Sequence, residues 1–162
     1  MIGVNIGCGT ADAVGKRPSL KLLSGLVEAV QKAHDAVVVL TGASFEREVN
    51  QEFAGLWPAE RKGLLHDLAG QTSLLELSGL IRACDLFIST DSGPYHMAVG
   101  LGVPTLAVFR GSNAVHYHHE RHVRCVVLGK EDEVARAIEA AAELLPRRAG
   151  LTATGKPRAG ET

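Results

Sequence analysis

The sequence predicts an α/β fold, a three-layer α/β/α Rossmann-like domain built on an open, mostly parallel six-stranded sheet. The first observation behind this prediction is that short apolar runs alternate with helical patterns six times along the chain. The second is that the clear apolar runs place Val, Ile and Leu at consecutive positions, as strands covered on both faces do. The third is length, because 162 residues suffice for one domain with a sizeable core but not for two ordinary ones.

Each predicted strand is one of these apolar runs. The runs lie, in chain order, at 2–6, 36–41, a weaker one around 68–69, 86–90, 105–109 and 124–128. Apolar residues at helical spacing predict the intervening helices at about 19–34, 44–56, 73–84, 94–101 and 132–145. Right-handed crossovers and the common strand order 3-2-1-4-5-6 place the first and fourth strands side by side. Such sheets bind ligands in the crevice where the carboxyl ends of these two strands adjoin.

Two local signals add detail to the helices and loops. Ser73 and Glu76 match a capping box, in which the serine hydroxyl accepts a backbone hydrogen bond and the glutamate reaches back to the helix start. Trp57-Pro58 indicates a loop anchor, with burial of the indole favoured over stacking on a base.

Composition and charge exclude several classes of protein. Apolar residues make up 46% and the net charge is −1, so nothing argues for a nucleic-acid or acidic-lipid surface. No apolar run reaches the roughly 18 residues of a membrane span, and no signal peptide precedes the first strand. The odd number of widely spaced cysteines, Cys8, Cys84 and Cys125, fits reduced thiols and a cytoplasmic location.

The domain is expected to occupy residues 1–146 and to end in a flexible tail, 147–162. From Pro146 onward the chain holds one large aliphatic residue in seventeen, too few to bury the segment.

Two loops of small residues converge on the predicted crevice. Gly7, Gly9 and Thr10 follow the first strand, and Asp91-Ser92-Gly93 follows the fourth. Pro94 suits the first position of a helix, because that position needs no amide hydrogen and the proline φ is already set.

The helix that begins there is predicted to bind an anion. The amides of Gly93, Tyr95 and His96 are expected to be free, with the helix dipole behind them, so a phosphate or pyrophosphate is the natural guest. Asp91 would repel a phosphate and must bind something else: backbone amides, a cation or sugar hydroxyls. His96 is either a contact to the anion or a sugar, or a helix-face histidine bonded to a carbonyl.

Two common nucleotide motifs are missing from the sequence. It contains no GxGxxG, since position 12 is aspartate, and no GxxxxGK[ST]. Dinucleotide redox chemistry and P-loop hydrolysis are therefore disfavoured.

The stretch from Asp67 to Phe109 resembles the C-terminal half of the family 9 glycosyltransferases, the lipopolysaccharide heptosyltransferases and their relatives. The matching residues are Asp67-Leu68-Ala69-Gly70, Thr72-Ser73-Leu74-Leu75-Glu76-Leu77, Asp91-Ser92-Gly93-Pro94, His96 and Gly102-Val103-Pro104-Thr105. Weaker similarity lies upstream, at Gly15-Lys16-Arg17-Pro18 and at Val39-Leu40-Thr41-Gly42 with Glu46.

The resemblance implies half of a GT-B fold that binds a nucleotide-sugar donor, usually ADP-heptose. It implies that the Asp91-Ser92-Gly93 loop and His96 contact the pyrophosphate and the heptose. Lys16 would neutralise donor phosphate, and Glu46 would lie near the ribose. No cofactor and no metal are implied. The family's general base and acceptor pocket lie in an N-terminal domain, so no catalytic residue is assigned here.

Alternatives remain open for the weaker positions. Lys16 is also readable as a solvated charge, and Glu46 as a helix-surface carboxylate. Arg17 directly precedes Pro18 where the family often has tryptophan. The histidines His116, His118, His119 and His122 suit a solvated loop better than a metal site, with donor contact or a pH-sensitive interface as further readings.

Three functions are compatible with this sequence. The chain is the donor-binding half of a glycosyltransferase, a stand-alone module that binds a nucleotide-sugar without transferring it, or an interaction unit that has lost ligand binding. Because the first strand starts at the second residue, we expect no acceptor domain in this chain and negligible transfer by it alone. The exposed crevice then favours a separate acceptor-domain partner or self-association.

Overall fold

The structure is a computed structural model, and it describes residues 1–7, 17–110 and 120–145. Several positions singled out in the sequence lie outside these ranges. They are Cys8, Gly9, Thr10, Lys16, His116, His118, His119 and the proposed tail 147–162.

Six parallel strands form one sheet. They are β1 (Ile2–Asn5), β2 (Val38–Thr41), β3 (Leu65–Asp67), β4 (Leu86–Ser89), β5 (Thr105–Phe109) and β6 (Val123–Val127). Their order is β3-β2-β1-β4-β5-β6, and every neighbouring pair is parallel. The predicted order is thereby confirmed, and β1 and β4 are neighbours where the direction of winding reverses.

Five α-helices cover the two faces of the sheet. They are α1 (Leu20–His34), α2 (Arg47–Gly55), α3 (Leu74–Arg82), α4 (Gly93–Gly100) and α5 (Glu133–Leu144). Helix α1 packs against α2 and α5 on one face, and α3 packs against α4 on the other. The predicted three-layer α/β/α arrangement is therefore confirmed.

All residues of β1 are buried, but neighbouring residues face the cores on opposite sides of the sheet. Val4 belongs to the core beneath α1 and α5 and is fully buried. Gly3 faces the opposite core, where a β-carbon at its position would lie 2.6 Å from the ring of Phe87. Glycine at this position leaves room for the Phe87 ring, and burial of such a side chain contributes about 1.5–3 kcal/mol.

Capping and burial predictions also hold. The Ser73 amide donates to Glu76 Oε2 at 2.8 Å, and the Glu76 amide donates to Ser73 Oγ at 3.3 Å, which completes the capping box of α3. Trp57 is 3% exposed, stacks on Phe53 with centroids 6.0 Å apart and donates its indole N–H to the Arg61 carbonyl. Burial of the indole is thus confirmed.

Two predicted elements differ from the structure. The weak strand expected around 68–69 lies at Leu65–Asp67, because this edge strand is short, half-exposed and lacks an apolar run. The helix expected over 44–56 begins with a 3₁₀ turn at Ser44–Glu46 and becomes α-helical at Arg47. Glu46 turns its side chain back to an amide that precedes the helix, which explains the tight first turn.

No helix in the described ranges combines the length and the apolar character needed to cross a membrane.

Candidate functional site

The carboxyl ends of three central strands lie at the same level. Asn5, the last residue of β1, pairs in register with Thr41 of β2 and with Ser89 of β4. The segments that follow these strands, as far as the structure describes them, therefore leave the same edge of the sheet. This edge is where the sequence predicts the crevice.

Those three register partners form a row of buried polar side chains beneath the crevice. Asn5, Thr41 and Ser89 are each 2% exposed or less. The Thr41 hydroxyl donates to the Val4 carbonyl at 3.2 Å, and Asn5 Nδ2 lies 3.5 Å from the Thr41 carbonyl. Among the described residues, Asn5 Oδ1 has no hydrogen-bond partner. The strands are apolar along their length and turn polar only at this edge.

Thr90 joins the ends of β1 and β4. Its amide donates to the Asn5 carbonyl at 3.2 Å, and its hydroxyl donates to the Gly7 carbonyl at 2.6 Å. Because Thr90 is 1% exposed, these bonds are shielded from water and hold Gly7 next to the segment that opens α4.

Glu46 reaches over the end of β1 from the turn after β2. Its Oε2 accepts a hydrogen bond from the Ala43 amide at 2.7 Å. A β-carbon built on Gly7 would lie 1.3 Å from Glu46 Oε1, so the carboxylate fills the space that a side chain at Gly7 would need. The reading of Glu46 as a free helix-surface carboxylate is therefore wrong for this structure, since the side chain is half-buried against the crevice loop.

The start of α4 is more occupied than the sequence predicts. Ser92 is the N-cap, and its hydroxyl accepts from the Tyr95 amide at 3.4 Å and bonds to the Ser89 hydroxyl at 3.0 Å. The His96 amide donates to the Ser92 carbonyl at 3.4 Å. The expectation of three free amides is wrong, because Ser92 satisfies the amides of Tyr95 and His96 as N-caps normally do.

The Gly93 amide remains available at the helix start. It has no hydrogen-bond partner within the described part of the chain, and a β-carbon at Gly93 would meet no atom within 4 Å. Pro94 follows it and has no amide hydrogen to offer. The anion site that the sequence predicts is thus reduced to one backbone donor, the Gly93 amide, with the helix dipole behind it.

Asp91 and His96 flank this donor. Asp91 is half-buried in the bend before α4, and His96 is exposed on the first turn of that helix. The rings of Tyr95 and His96 lie 4.9 Å apart between centroids, with their planes tilted by 60°. Tyr95 itself is fully buried, so it provides a fixed surface beside the imidazole.

The structure brings most of the predicted positions together. Gly7, Glu46 and the Asp91-Ser92-Gly93 loop lie at the ends of adjoining strands, and His96 follows on α4. The predicted positions Lys16, Gly9 and Thr10 lie outside the described residues.

Sequence reasoning missed Asn5 and the polar contacts of α2, and it assigned no role of its own to Thr90. A hydrophilic residue at the end of an apolar run, as at Asn5 and Thr90, is the signal that points to such positions.

The two described cysteines have low reactivity as nucleophiles. Cys84 and Cys125 are free thiols, and burial raises the pKa of Cys84 to about 11. Burial also raises the pKa of Cys125, partly offset by a hydrogen bond with the Tyr95 side chain. Neither thiol is activated as a nucleophile at neutral pH.

No metal cluster is present within residues 1–7, 17–110 and 120–145: no three histidine, cysteine, aspartate or glutamate side chains form a group suited to an ion. His122, the one described histidine of the 116–122 segment, places its Nε2 3.1 Å from the Val99 carbonyl. That contact ties the histidine to α4.

Comparison with known proteins identifies the family of this chain. The sequence profile of glycosyltransferase family 9 (heptosyltransferase) matches residues 21–144. Lipopolysaccharide heptosyltransferase 2 of Salmonella typhimurium is 33% identical over 76 residues, 47% of this chain and 22% of that protein. Lipooligosaccharide heptosyltransferase 2 of Campylobacter jejuni is 28% identical over 109 residues, 67% of this chain and 33% of that protein.

Solved structures agree with the sequence comparison. ADP-heptose lps heptosyltransferase II of E. coli superposes with a TM-score of 0.73 and 25% identity, over 89% of this chain and 46% of that one. A family 9 glycosyltransferase from Veillonella parvula gives a TM-score of 0.71 at 21% identity, over 88% and 45% of the two chains. The chain thus spans about half the length of these solved relatives.

The profile match covers most of the chain, and Glu46, the Asp91-Ser92-Gly93 loop and His96 fall within it. The chain belongs to glycosyltransferase family 9.

Proposed function

We propose that this chain is the nucleotide-sugar-binding half of a family 9 glycosyltransferase, with ADP-heptose as its donor. Joined to an acceptor-binding domain, it would transfer the sugar to a lipopolysaccharide-type acceptor. The names of the relatives support this choice of donor and acceptor, since they include an ADP-heptose lps heptosyltransferase and lipopolysaccharide heptosyltransferases. The acceptor-binding domain is proposed because the chain matches only about half of the solved relatives.

The observation that carries the proposal is the convergence at the ends of β1, β2 and β4. A carboxylate from the turn after β2 and a free amide from the start of α4 stand on either side of the Gly7 segment. These two groups suit opposite parts of one ligand. A carboxylate accepts hydrogen bonds from sugar hydroxyls, and an amide at a helix start donates to phosphate oxygens.

We assign the pyrophosphate to the α4 side of the crevice. The Gly93 amide and the helix dipole would stabilise negative charge there, and this charge grows as the diphosphate leaves during transfer. Lys16, from the loop after β1, would add a positive charge. Ser92 would act mainly by capping the helix and holding Gly93 in place, since its hydroxyl is engaged by Ser89 and Tyr95.

The sugar and the ribose take the remaining polar side chains. Asp91 would repel phosphate and therefore binds the hydroxyls of the transferred sugar, with His96 beside it on the exposed face of α4. Glu46 keeps one oxygen on the Ala43 amide, so its second oxygen, over Gly7, is the one offered to the ribose.

Transfer also requires a base that activates the acceptor hydroxyl. We place that base and the acceptor pocket in the separate acceptor-binding domain and expect negligible transfer by this chain alone. A cytoplasmic location completes the proposal, supported by the free thiols of Cys84 and Cys125, which persist where the environment is reducing.

Calorimetric titration tests donor binding directly. The chain is titrated with ADP-heptose, with ADP and with a UDP-sugar. We expect ADP-heptose to bind more tightly than ADP, because Asp91 and His96 add contacts to the sugar, and the UDP-sugar to bind more weakly than ADP-heptose. Absence of binding by all three ligands at millimolar concentrations would contradict the proposal.

A second experiment separates a transferase half from a simple binding module. The chain is mixed with the acceptor-binding domain of a family 9 enzyme and assayed for sugar transfer. Turnover in the mixture, with none in either part alone, supports the transferase assignment. Donor binding without turnover in any mixture would favour the binding module.

A further inference from the structure

Two side chains of helix α2 form hydrogen bonds with the loop between β3 and α3. Arg47 Nε donates to the Ala69 carbonyl at 3.0 Å, and its Nη2 lies 3.4 Å from the Gly70 carbonyl. One turn further along, Asn50 Nδ2 donates to Asp67 Oδ1 at 2.9 Å. The same side of α2 therefore holds both ends of the 67–70 segment.

This loop is closed from within as well. Asp67 Oδ1 also accepts from the Ala69 amide at 2.9 Å, and Gln71 Nε2 donates to the Asp67 carbonyl at 2.7 Å. Asn50 is fully buried, so its bond to Asp67 is protected from competition with water. The loop is thus a compact unit, and the guanidinium of Arg47 attaches it to α2 from the outside.

The loop in turn backs the segment that carries Glu46. The Gly70 amide donates to the Gly42 carbonyl at 2.8 Å. A β-carbon on Gly70 would lie 2.7 Å from Ser44 Cα, and Gly70 has φ of +66°, in the left-handed region that favours glycine. The backbone of Gly70 therefore packs directly on the backbone of Ser44. This contact blocks movement of the Gly42–Glu46 turn away from β1 and toward β3.

We infer that Arg47 is a positioning residue: through the Ala69–Gly70 loop it holds the Gly42–Glu46 turn and so fixes the Glu46 carboxylate over Gly7. Resting on the proposed function, this makes Arg47 a determinant of affinity for the nucleoside end of the donor, although it touches no ligand. The phosphate end, at α4, follows β4, which is two strands away from β2 in the sheet, so we expect it not to depend on this support.

Amide hydrogen exchange tests the support without any ligand. The Ala43 amide reports the seating of Glu46, because Glu46 Oε2 accepts its hydrogen, and the Gly70 amide reports the loop. We expect R47A to speed exchange at both amides about tenfold while Leu106, in the middle of β5, stays unchanged. The control is R82A, an exposed arginine in the last turn of α3, which should change neither amide. Unchanged protection of Ala43 in R47A would overturn the inference, whatever the chain binds.

Calorimetry with ADP and with inorganic pyrophosphate tests the consequence for binding. R47A should weaken ADP about tenfold and leave pyrophosphate within about twofold, and R47K should recover part of the loss. In an E46A background, R47A should have no further effect on ADP, because the arginine acts through the glutamate. Equal losses for ADP and pyrophosphate, or additive losses with E46A, would overturn the inference.

A second perturbation guards against a poorly folded R47A variant. G70A forces the loop away from Ser44 and should give the same selective loss of ADP affinity. If the wild-type chain binds ADP and both G70A and R47K bind ADP as tightly as the wild type does, the positioning role is wrong and the proposed function stands. If wild-type chain binds neither ADP nor pyrophosphate, the proposed function fails, and with it the consequence for binding, while hydrogen exchange still decides the support of Glu46.

Discussion

The carboxylate of Glu46 occupies the position directly above Gly7, where a β-carbon would lie 1.3 Å from Oε1. These residues belong to different loops, one after β2 and one after β1. Their contact places an acceptor group at the crevice and makes the absence of a side chain at Gly7 a condition for that placement. The same contact explains why the segment after β1 carries glycine where a strand end would accept many residues.

The first prediction concerns this contact. G7A should displace the Glu46 carboxylate, break its bond to the Ala43 amide and lower the free energy of unfolding by about 1 kcal/mol. ADP affinity should fall at the same time. Urea unfolding and calorimetry measure the two effects. In an E46A background the β-carbon meets no carboxylate, so G7A should then cost markedly less. An equal cost in both backgrounds would show that the two residues do not compete for space.

The second prediction concerns the start of α4. G93V should fold normally, because the added β-carbon meets open space. It should weaken ADP by about tenfold or more, because we expect the side chain to block the approach of a phosphate to the Gly93 amide. G100V is the matched control, since it places the same side chain in open space at the other end of the helix. A G93V chain that folds and binds ADP as the wild type does would refute the helix-start site.

The third prediction separates sugar from phosphate recognition. D91A should weaken ADP-heptose by about 1–3 kcal/mol and ADP much less, because we propose that the carboxylate binds hydroxyls of the transferred sugar. D91N preserves the shape and removes the charge, so its loss should be smaller. Calorimetry with both ligands gives the comparison. A larger loss for ADP than for ADP-heptose would place Asp91 elsewhere on the ligand.

The fourth prediction is a pH dependence of stability. Hydrogen bonds from the amide and hydroxyl of Ser73 lower the pKa of Glu76 from its ordinary 4.5. A carboxylate with a lowered pKa stabilises the folded state above its unfolded pKa and loses this effect as pH falls through the folded value.

E76Q should therefore be less stable than wild type near neutral pH, and the gap should close as pH falls below about 4.5. Urea unfolding across this range measures the gap. E52Q, at an exposed position of α2, controls for the removal of one surface charge. A gap that stays constant down to the acid limit would rule out the capping charge as its source.

The topology was predictable because buried strands carry a clear sequence signal. Strands β1, β2, β4 and β5 are buried throughout, and their runs of Val, Ile and Leu have no alternative reading on a surface. Strand β3 was misplaced because an edge strand with a half-exposed pattern carries little hydrophobic signal. Its position is set by pairing with β2, which is a tertiary constraint rather than a local one.

The position of the crevice followed from strand order, but its hydrogen bonding did not. Sequence alone counts amides at a helix start, and it cannot show that Ser92 would satisfy those of Tyr95 and His96. Glu46 was equally uncertain, because a carboxylate early in a helix reads the same whether it faces solvent or folds back. Only the packing of its turn against Gly7 separates the two cases.

The bonds of Thr90 to Asn5 and Gly7 have a consequence for how the chain matures. The Thr90 hydroxyl bonds to a residue 83 positions earlier in the chain, Gly7. Contacts of such wide separation form late, since much chain entropy is lost before they are rewarded. A nascent chain released before β4 has been synthesised would contain β1, β2 and β3 but would lack the strand on the other side of the predicted crevice. We therefore expect the proposed nucleotide binding to appear only after β4 and the start of α4 have been synthesised.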